Sequence, residues 1–260
     1  MKYGFLGCGN MGSALAKALS KTTTDLLLSD RSGKAAVLAA ELGCAYGTVA
    51  EAAACRRVFL GVKPQMMADV LRPLQPALAA HKPLLISMAA GLTVARIEEL
   101  AGCRLPVIRI MPNTPVAVGK GVILYCCNDL VDEATLADFL NDMQYAGTLD
   151  ALDEKLIDAA CAVSGCGPAY VYMFIEAMAD GAVASGLPRE KALKYAAATL
   201  SGAAEMALVT QQPPQALKDA VCSPGGSTIA GVCALEERGF RGTVMDAIIA
   251  AYKRNVELGK

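Results

Sequence analysis

The sequence predicts an α/β protein in two parts, a doubly wound sheet over residues 1–152 and an all-helical segment over residues 153–260. Two patterns point to this. Short apolar runs alternate with helical stretches through the first part, and no convincing strand follows Asp150. Alternation of that kind implies parallel strands joined by right-handed helical crossovers. A composition of 54% apolar residues, much of it Ala, with 5% aromatics and no Trp favours closely packed helices.

The expected strands are 3–7, 26–29, 58–62, 84–87, 107–110 and 122–125, each short, apolar and bounded by Gly, Pro or charge. Helical patterns lie between them at about 10–20, 34–42, 65–71 and 94–100. Beyond Asp150, helices are expected at 154–163, 168–185, 189–210, 214–221, 227–238 and 243–258. Gly186-Leu187-Pro188 and Gln212-Pro213-Pro214 act as stops between them. No flexible linker or repeat separates the two parts, so a continuous helix or a short turn should join them.

Composition excludes several classes of function. Lys and Arg number 24 against 25 Asp and Glu, and no basic stripe stands out, which argues against nucleic acid as a partner. The long apolar stretch 169–184 is broken by Glu176 and Asp180, so it reads as a buried helix and not a membrane span. The first residues turn to glycine too soon for a signal peptide, which predicts a cytoplasmic protein. Ten scattered Cys without a C-x-x-C spacing read as reduced apolar fillers. A single His, His81, expected in a Pro-containing loop, leaves no basis for a metal site.

The chemistry begins at Gly7-Cys8-Gly9-Asn10-Met11-Gly12, a G-x-G-x-x-G pattern that follows the first strand and opens the first helix. In that context Gly7 permits the turn, Gly9 lets backbone approach a pyrophosphate, and Gly12 lets helix and strand pack closely. Asn10 and Met11 begin the helix whose free N–H groups face the anion. This is the signature of a Rossmann-type nucleotide-binding domain. Eighteen residues after Gly12, the second strand ends in Asp30-Arg31-Ser32. A carboxylate there suits the ribose hydroxyls of NAD, whereas an Arg suits the 2′-phosphate of NADP. Arg31 and Ser32 together favour NADPH, with NADH the alternative, and Asp30 either points away or caps the following helix.

Four further segments lie where loops are expected. They are Val62-Lys63-Pro64, Ser87-Met88-Ala89-Ala90-Gly91, Arg109 to Pro115 (which contains Asn113), and Ser223-Pro224-Gly225-Gly226-Ser227-Thr228. Val62-Lys63-Pro64 reads equally as a cofactor border or a plain strand-to-helix turn. The last segment reads equally as a helix cap or as a nest of N–H groups for a carboxylate.

Taken in order with Ser164-Gly165-Cys166-Gly167-Pro168-Ala169-Tyr170, these segments resemble pyrroline-5-carboxylate reductase along nearly the whole chain. Cys166 stands where Ser is common in that family, and Asp30 is unusually acidic before the Arg. The resemblance implies NADPH-dependent reduction of 1-pyrroline-5-carboxylate to L-proline. The helical part would form an interlocked homodimer, with further assembly of dimers open. By resemblance, Val62, Lys63, Pro64, Ala89, Ala90 and Asn113 join Gly7, Gly9, Asn10, Met11, Gly12, Arg31 and Ser32 in the cofactor site. Ser223, Gly225, Gly226, Ser227 and Thr228 hold the substrate, with the Thr228 hydroxyl aimed at the ring nitrogen. An imine nitrogen is basic enough to bind as the iminium, so the lack of an obvious general acid is no obstacle.

Two rival readings fit the residues less well. A β-hydroxyacid dehydrogenase relies on a Lys in the first long helix of its second domain, and the segment 168–174 has none. A noncatalytic NADPH-binding sensor would have no use for both the Met111-to-Pro115 and Ser223-to-Thr228 loops.

Overall fold

The computed structural model describes residues 1–258. An eight-stranded sheet forms the first part. Its strands are β1 (Tyr3–Leu6), β2 (Leu26–Ser29), β3 (Ala45–Tyr46), β4 (Arg57–Leu60), β5 (Leu84–Ser87), β6 (Val107–Met111), β7 (Gly121–Cys127) and β8 (Gly147–Ala151). Their order is β3-β2-β1-β4-β5-β6-β7-β8. The reversal of strand order beside β1 makes the switch point at which such sheets bind ligands.

The expected alternation holds as far as β6. β7 then pairs antiparallel to β6, with Arg109 opposite Cys126. The cause is the connection, which between Met111 and Gly121 holds only a single 3-10 turn, Thr114–Val118. A parallel crossover needs a dozen residues or more. β8 returns parallel to β7 and ends the sheet.

Helices cover both faces of the sheet. They are α1 (Asn10–Leu19), α2 (Lys34–Leu42), α3 (Val49–Ala53), α4 (Met67–Leu71), α5 (Gln75–His81), α6 (Val94–Ala101) and α7 (Glu133–Asp142). His81 is the last residue of α5, not part of a loop as the flanking prolines suggested. β1, β2, β4 and β5 are buried along their whole length, as sheets covered on both faces require. On one face Phe5 stacks on Phe59, their ring centroids 4.4 Å apart. At the amino ends of the strands, Arg57 donates to the Tyr3 hydroxyl and to Asp142, and Lys2 also pairs with Asp142. This cluster ties α7 to the sheet.

A 3-10 turn, Glu154–Leu156, leads into α8 (Ile157–Ser164). The remaining helices are α9 (Gly167–Ala184), α10 (Arg189–Thr210), α11 (Pro214–Ala220), α12 (Ser227–Glu237) and α13 (Phe240–Leu258). The packing units divide later than residue 152. One comprises Met1–Cys166 with the chain from Ala251, and the other is Gly167–Ala250. The helical region does begin at Glu154, but α8 packs under β7, where Ile157 and Cys161 share a core with Met111 and Leu124.

The second unit has little interior of its own. Among its described residues only Ala179, Ala192 and Ala196 are buried among apolar side chains, while Tyr172, Met173, Leu208, Val209 and Met245 are exposed. All ten cysteines are unpaired. Among the described residues no helix is long and apolar enough to cross a membrane, and no cluster of His, Cys, Asp and Glu could hold a metal.

Candidate active site

The glycine loop packs in three layers. Gly7 has φ +102°, a left-handed conformation that glycine adopts without strain. A Cβ on Gly12 would lie 2.4 Å from the Gly7 carbonyl oxygen, and a Cβ on Gly61 would lie equally close to the same atom. The start of α1 and the end of β4 therefore close on one peptide group. Gly61 was not among the expected site residues, although it directly precedes Val62. Gly9 differs from all three, because a Cβ there would meet nothing within 4 Å. It also serves as the N-cap of α1, and no side chain caps that helix. Open space beside uncapped N–H groups is what an anion needs. Ser13 braces the loop by donating to the Cys8 carbonyl at 2.8 Å. The Cys8 thiol is buried and pushed up to about 12, chiefly by burial and then by nearby Asp30, so it stays protonated and inert.

A cleft of about 600 Å³ runs from this loop across the ends of β1, β2 and β4. Of the expected residues it gathers Gly7, Gly9, Arg31, Ser32, Val62 and Lys63. Asn10, Met11, Gly12, Pro64, Ala89, Ala90 and Asn113 do not line it. Pro64 opens the 3-10 turn after Lys63.

The choice left open at Asp30 is resolved by its hydrogen bonds. Its carboxylate accepts from the backbone N–H groups of Gly33 at 3.0 Å and Ala35 at 3.2 Å, and from the Ser32 hydroxyl at 2.7 Å. Asp30 thus serves the amino end of α2. The same bonds occupy the Ser32 hydroxyl as a donor. Among the described residues, the cations at this corner without an ion-pair partner are Arg31 and Lys34, both exposed and both lining the cleft. Lys34 was missed in the sequence because it reads as an ordinary helical Lys. The signal was its place as the first residue of α2, directly after the Gly33 turn.

Asn113 is 7% exposed and its amide is used within the protein. Its Oδ1 accepts from Val122 N–H and its Nδ2 donates to the Ser164 carbonyl, both at 2.9 Å. The side chain joins β6, β7 and the end of α8.

In the second unit, the Ser223-to-Thr228 segment makes a tight turn into α12. Gly225 has φ +68°, and Gly226 N–H donates to the Ser223 carbonyl at 3.0 Å. The N-cap of α12 is Gly226, and no side chain caps the helix. Neither Ser227 nor Thr228 acts as the cap that their residue types suggested. Both are exposed, and the Thr228 hydroxyl makes no hydrogen bond within the described protein. The segment therefore offers unengaged N–H groups and a hydroxyl to a ligand with a carboxylate.

Comparison with known proteins shows the family. The family model for pyrroline-5-carboxylate reductase dimerisation matches residues 154–258, and that for NADP oxidoreductase, coenzyme F420-dependent, matches residues 2–91. The pyrroline-5-carboxylate reductase of Escherichia coli (strain K12) is 40% identical across 100% of this chain and 98% of its own. That of Pisum sativum is 42% identical across 98% of this chain and 95% of its own. The crystal structure of Plasmodium falciparum pyrroline carboxylate reductase with NADP bound superposes with a TM-score of 0.90 at 37% identity, covering both chains completely. A glycine loop with an uncapped helix, an uncapped Ser-Pro-Gly-Gly-Ser-Thr turn and similarity along the full length lead to one conclusion: this chain belongs to the pyrroline-5-carboxylate reductase family.

Proposed function

We propose that the protein reduces 1-pyrroline-5-carboxylate to L-proline with NADPH, acting as a homodimer in the cytoplasm. The observation that carries this reading is the cleft, where an uncapped helix start at Gly9 and two unpaired cations, Arg31 and Lys34, provide for two separate anions. NADPH carries two such groups, a pyrophosphate and a 2′-phosphate. When bound, it supplies the hydride that the C=N carbon takes up.

The rest falls to the protein's own groups. Gly9 and the first turn of α1 hold the pyrophosphate, and Arg31 with Lys34 holds the 2′-phosphate. Lys63 and the backbone of Ala89 and Ala90 border the reducing end. The N–H groups of Gly225, Ser227 and Thr228 hold the substrate carboxylate, Gly226 N–H being spent on the Ser223 carbonyl within the turn, and the Thr228 hydroxyl orients the ring nitrogen. A Thr hydroxyl is too weak an acid to supply a proton by itself. The imine arrives protonated, or is protonated through water that Thr228 positions. Most of the acceleration then comes from orientation and placed dipoles.

The homodimer supports this arrangement. The second unit exposes apolar side chains on several helices, which a partner copy would cover. We assign the Ser223-to-Thr228 turn of one protomer to the cleft of the other. The test of the activity is loss of NADPH absorbance on adding pyrroline-5-carboxylate, with 3-hydroxyisobutyrate and NADP as the control. Turnover of the second pair and not the first would replace this reading with a hydroxyacid dehydrogenase.

A further inference from the structure

Arg109 stands in the middle of an otherwise apolar strand, Val-Ile-Arg-Ile-Met, and is the largest fully buried side chain among the described residues. A buried guanidinium is costly unless well paired, and an apolar residue of similar volume is often as stable or more so. The pairing here is incomplete. Nη1 lies 3.1 Å from Glu154 Oε1 and Nη2 lies 3.5 Å from Asp158 Oδ1, while the Nε–H meets no acceptor. Stability alone gives no reason to keep Arg at this position.

The reason lies one step further along the contact chain. The same Glu154 Oε1 accepts from the Val94 N–H at 2.7 Å, the first N–H of α6. Thr93 caps the same helix by accepting from Arg96 N–H. In the β5–β6 register Arg109 sits beside Ser87, which is fully buried. Ser87 Oγ accepts from Ala89 N–H at 3.4 Å. The loop between Ser87 and Val94 is thus pegged at both ends. Between the pegs, Ala89 is buried, Ala90 is exposed, and Gly91 turns the chain at φ +76°.

We infer that Arg109 and Glu154 are positioning residues that hold this loop, through the first N–H of α6, in the shape that receives the dinucleotide. The inference rests on the proposed contact of Ala89 and Ala90 with the reducing end of NADPH. Neither Arg109 nor Glu154 lines the cleft, so both act through the loop.

The experiment measures NADPH dissociation by titration calorimetry, independent of turnover, alongside KM, kcat and Tm. Glu154→Ala removes the peg and should weaken NADPH binding about tenfold, the loss of one charge-assisted hydrogen bond. Glu154→Gln keeps an acceptor oxygen and should recover most of that loss. Arg109→Met removes the buried charge and leaves Glu154, already 34% exposed in its side chain, to turn toward solvent. Its Tm should hold or rise while NADPH binding falls by a similar factor. A role in stability alone would give the reverse, a lower Tm with unchanged dissociation, and that result overturns the inference. If Glu154→Ala does not fold, Arg109→Met and Glu154→Gln decide it on the same two readouts. Wild-type protein that binds NADPH but leaves pyrroline-5-carboxylate unreduced would refute the activity and leave this test intact.

Discussion

Two identical substitutions three residues apart should separate binding from stability. Gly9→Ala adds a methyl group where nothing lies within 4 Å, at φ −67° and ψ −170°, angles that any L-residue adopts. Relief of unfolded-state freedom, about 0.4–1 kcal/mol, is offset by about as much because Ala caps a helix less well than Gly, so Tm should stay near wild type. The methyl nevertheless stands where a pyrophosphate would approach. Loss of one charge-assisted hydrogen bond, about 1.5–3 kcal/mol, weakens binding roughly 10–150-fold. Gly12→Ala places its Cβ 2.4 Å from the Gly7 oxygen, about 1 Å inside ordinary contact, and backbone must move to admit it. Overpacking of that kind costs about 1–3 kcal/mol, so Tm should fall by roughly 3–10 °C. The assays are NADPH titration and thermal unfolding of both variants beside wild type. Gly9→Ala that binds NADPH as wild type does would refute the placement of the pyrophosphate. Gly12→Ala with an unchanged Tm would refute the packing.

Arg31→Ala and Lys34→Ala should each raise the Michaelis constant for NADPH about tenfold and leave that for NADH near wild type, the loss of one cation from the 2′-phosphate; equal effects on both cofactors would remove the phosphate assignment. Thr228→Ala should lower turnover with Tm unchanged, because the hydroxyl does not cap α12, and unimpaired turnover would leave the hydroxyl without a role. Gly9→Asp and Thr228→Arg, each inactive alone, should recover about a quarter of wild-type activity when co-refolded, since about half the dimers are mixed and each holds one site free of both lesions. Background activity, with mass data confirming heterodimers, would place each site within a single chain.

The elements that sequence reveals are those buried on both faces or strongly periodic. β1, β2, β4 and β5 are continuous apolar runs, and α10 fills Arg189–Thr210, the interval expected for it. What escaped has a physical reason in each case. β3 is two residues long, and β8, Gly-Thr-Leu-Asp-Ala, is a half-exposed edge strand with little apolar pattern. α7 buries Phe139 and little else along its apolar positions, although Asp132 capping Thr135 N–H was a readable start signal. The direction of β7 depends on loop length, which apolar runs do not encode. In the site, the glycine loop was legible because its constraints are local. The role of Asp30 was not, because a carboxylate before a helix serves ribose or helix equally well until its hydrogen bonds are known. The resemblance puts Asn113 in the cofactor site, and sequence could not show that its amide is held between Val122 and Ser164.

The poverty of interior in the second unit makes its folding bimolecular. Helices that bury three alanines against their own chain gain too little apolar contact to offset the entropy of ordering more than eighty residues. Their stability is then set by encounter with a second chain and rises with protomer concentration. Dilution should melt this part while the sheet persists, so Tm for the helical signal depends on concentration and that for the sheet does not. A cell that makes few copies would hold a smaller active fraction as well as fewer molecules, and activity would climb faster than expression.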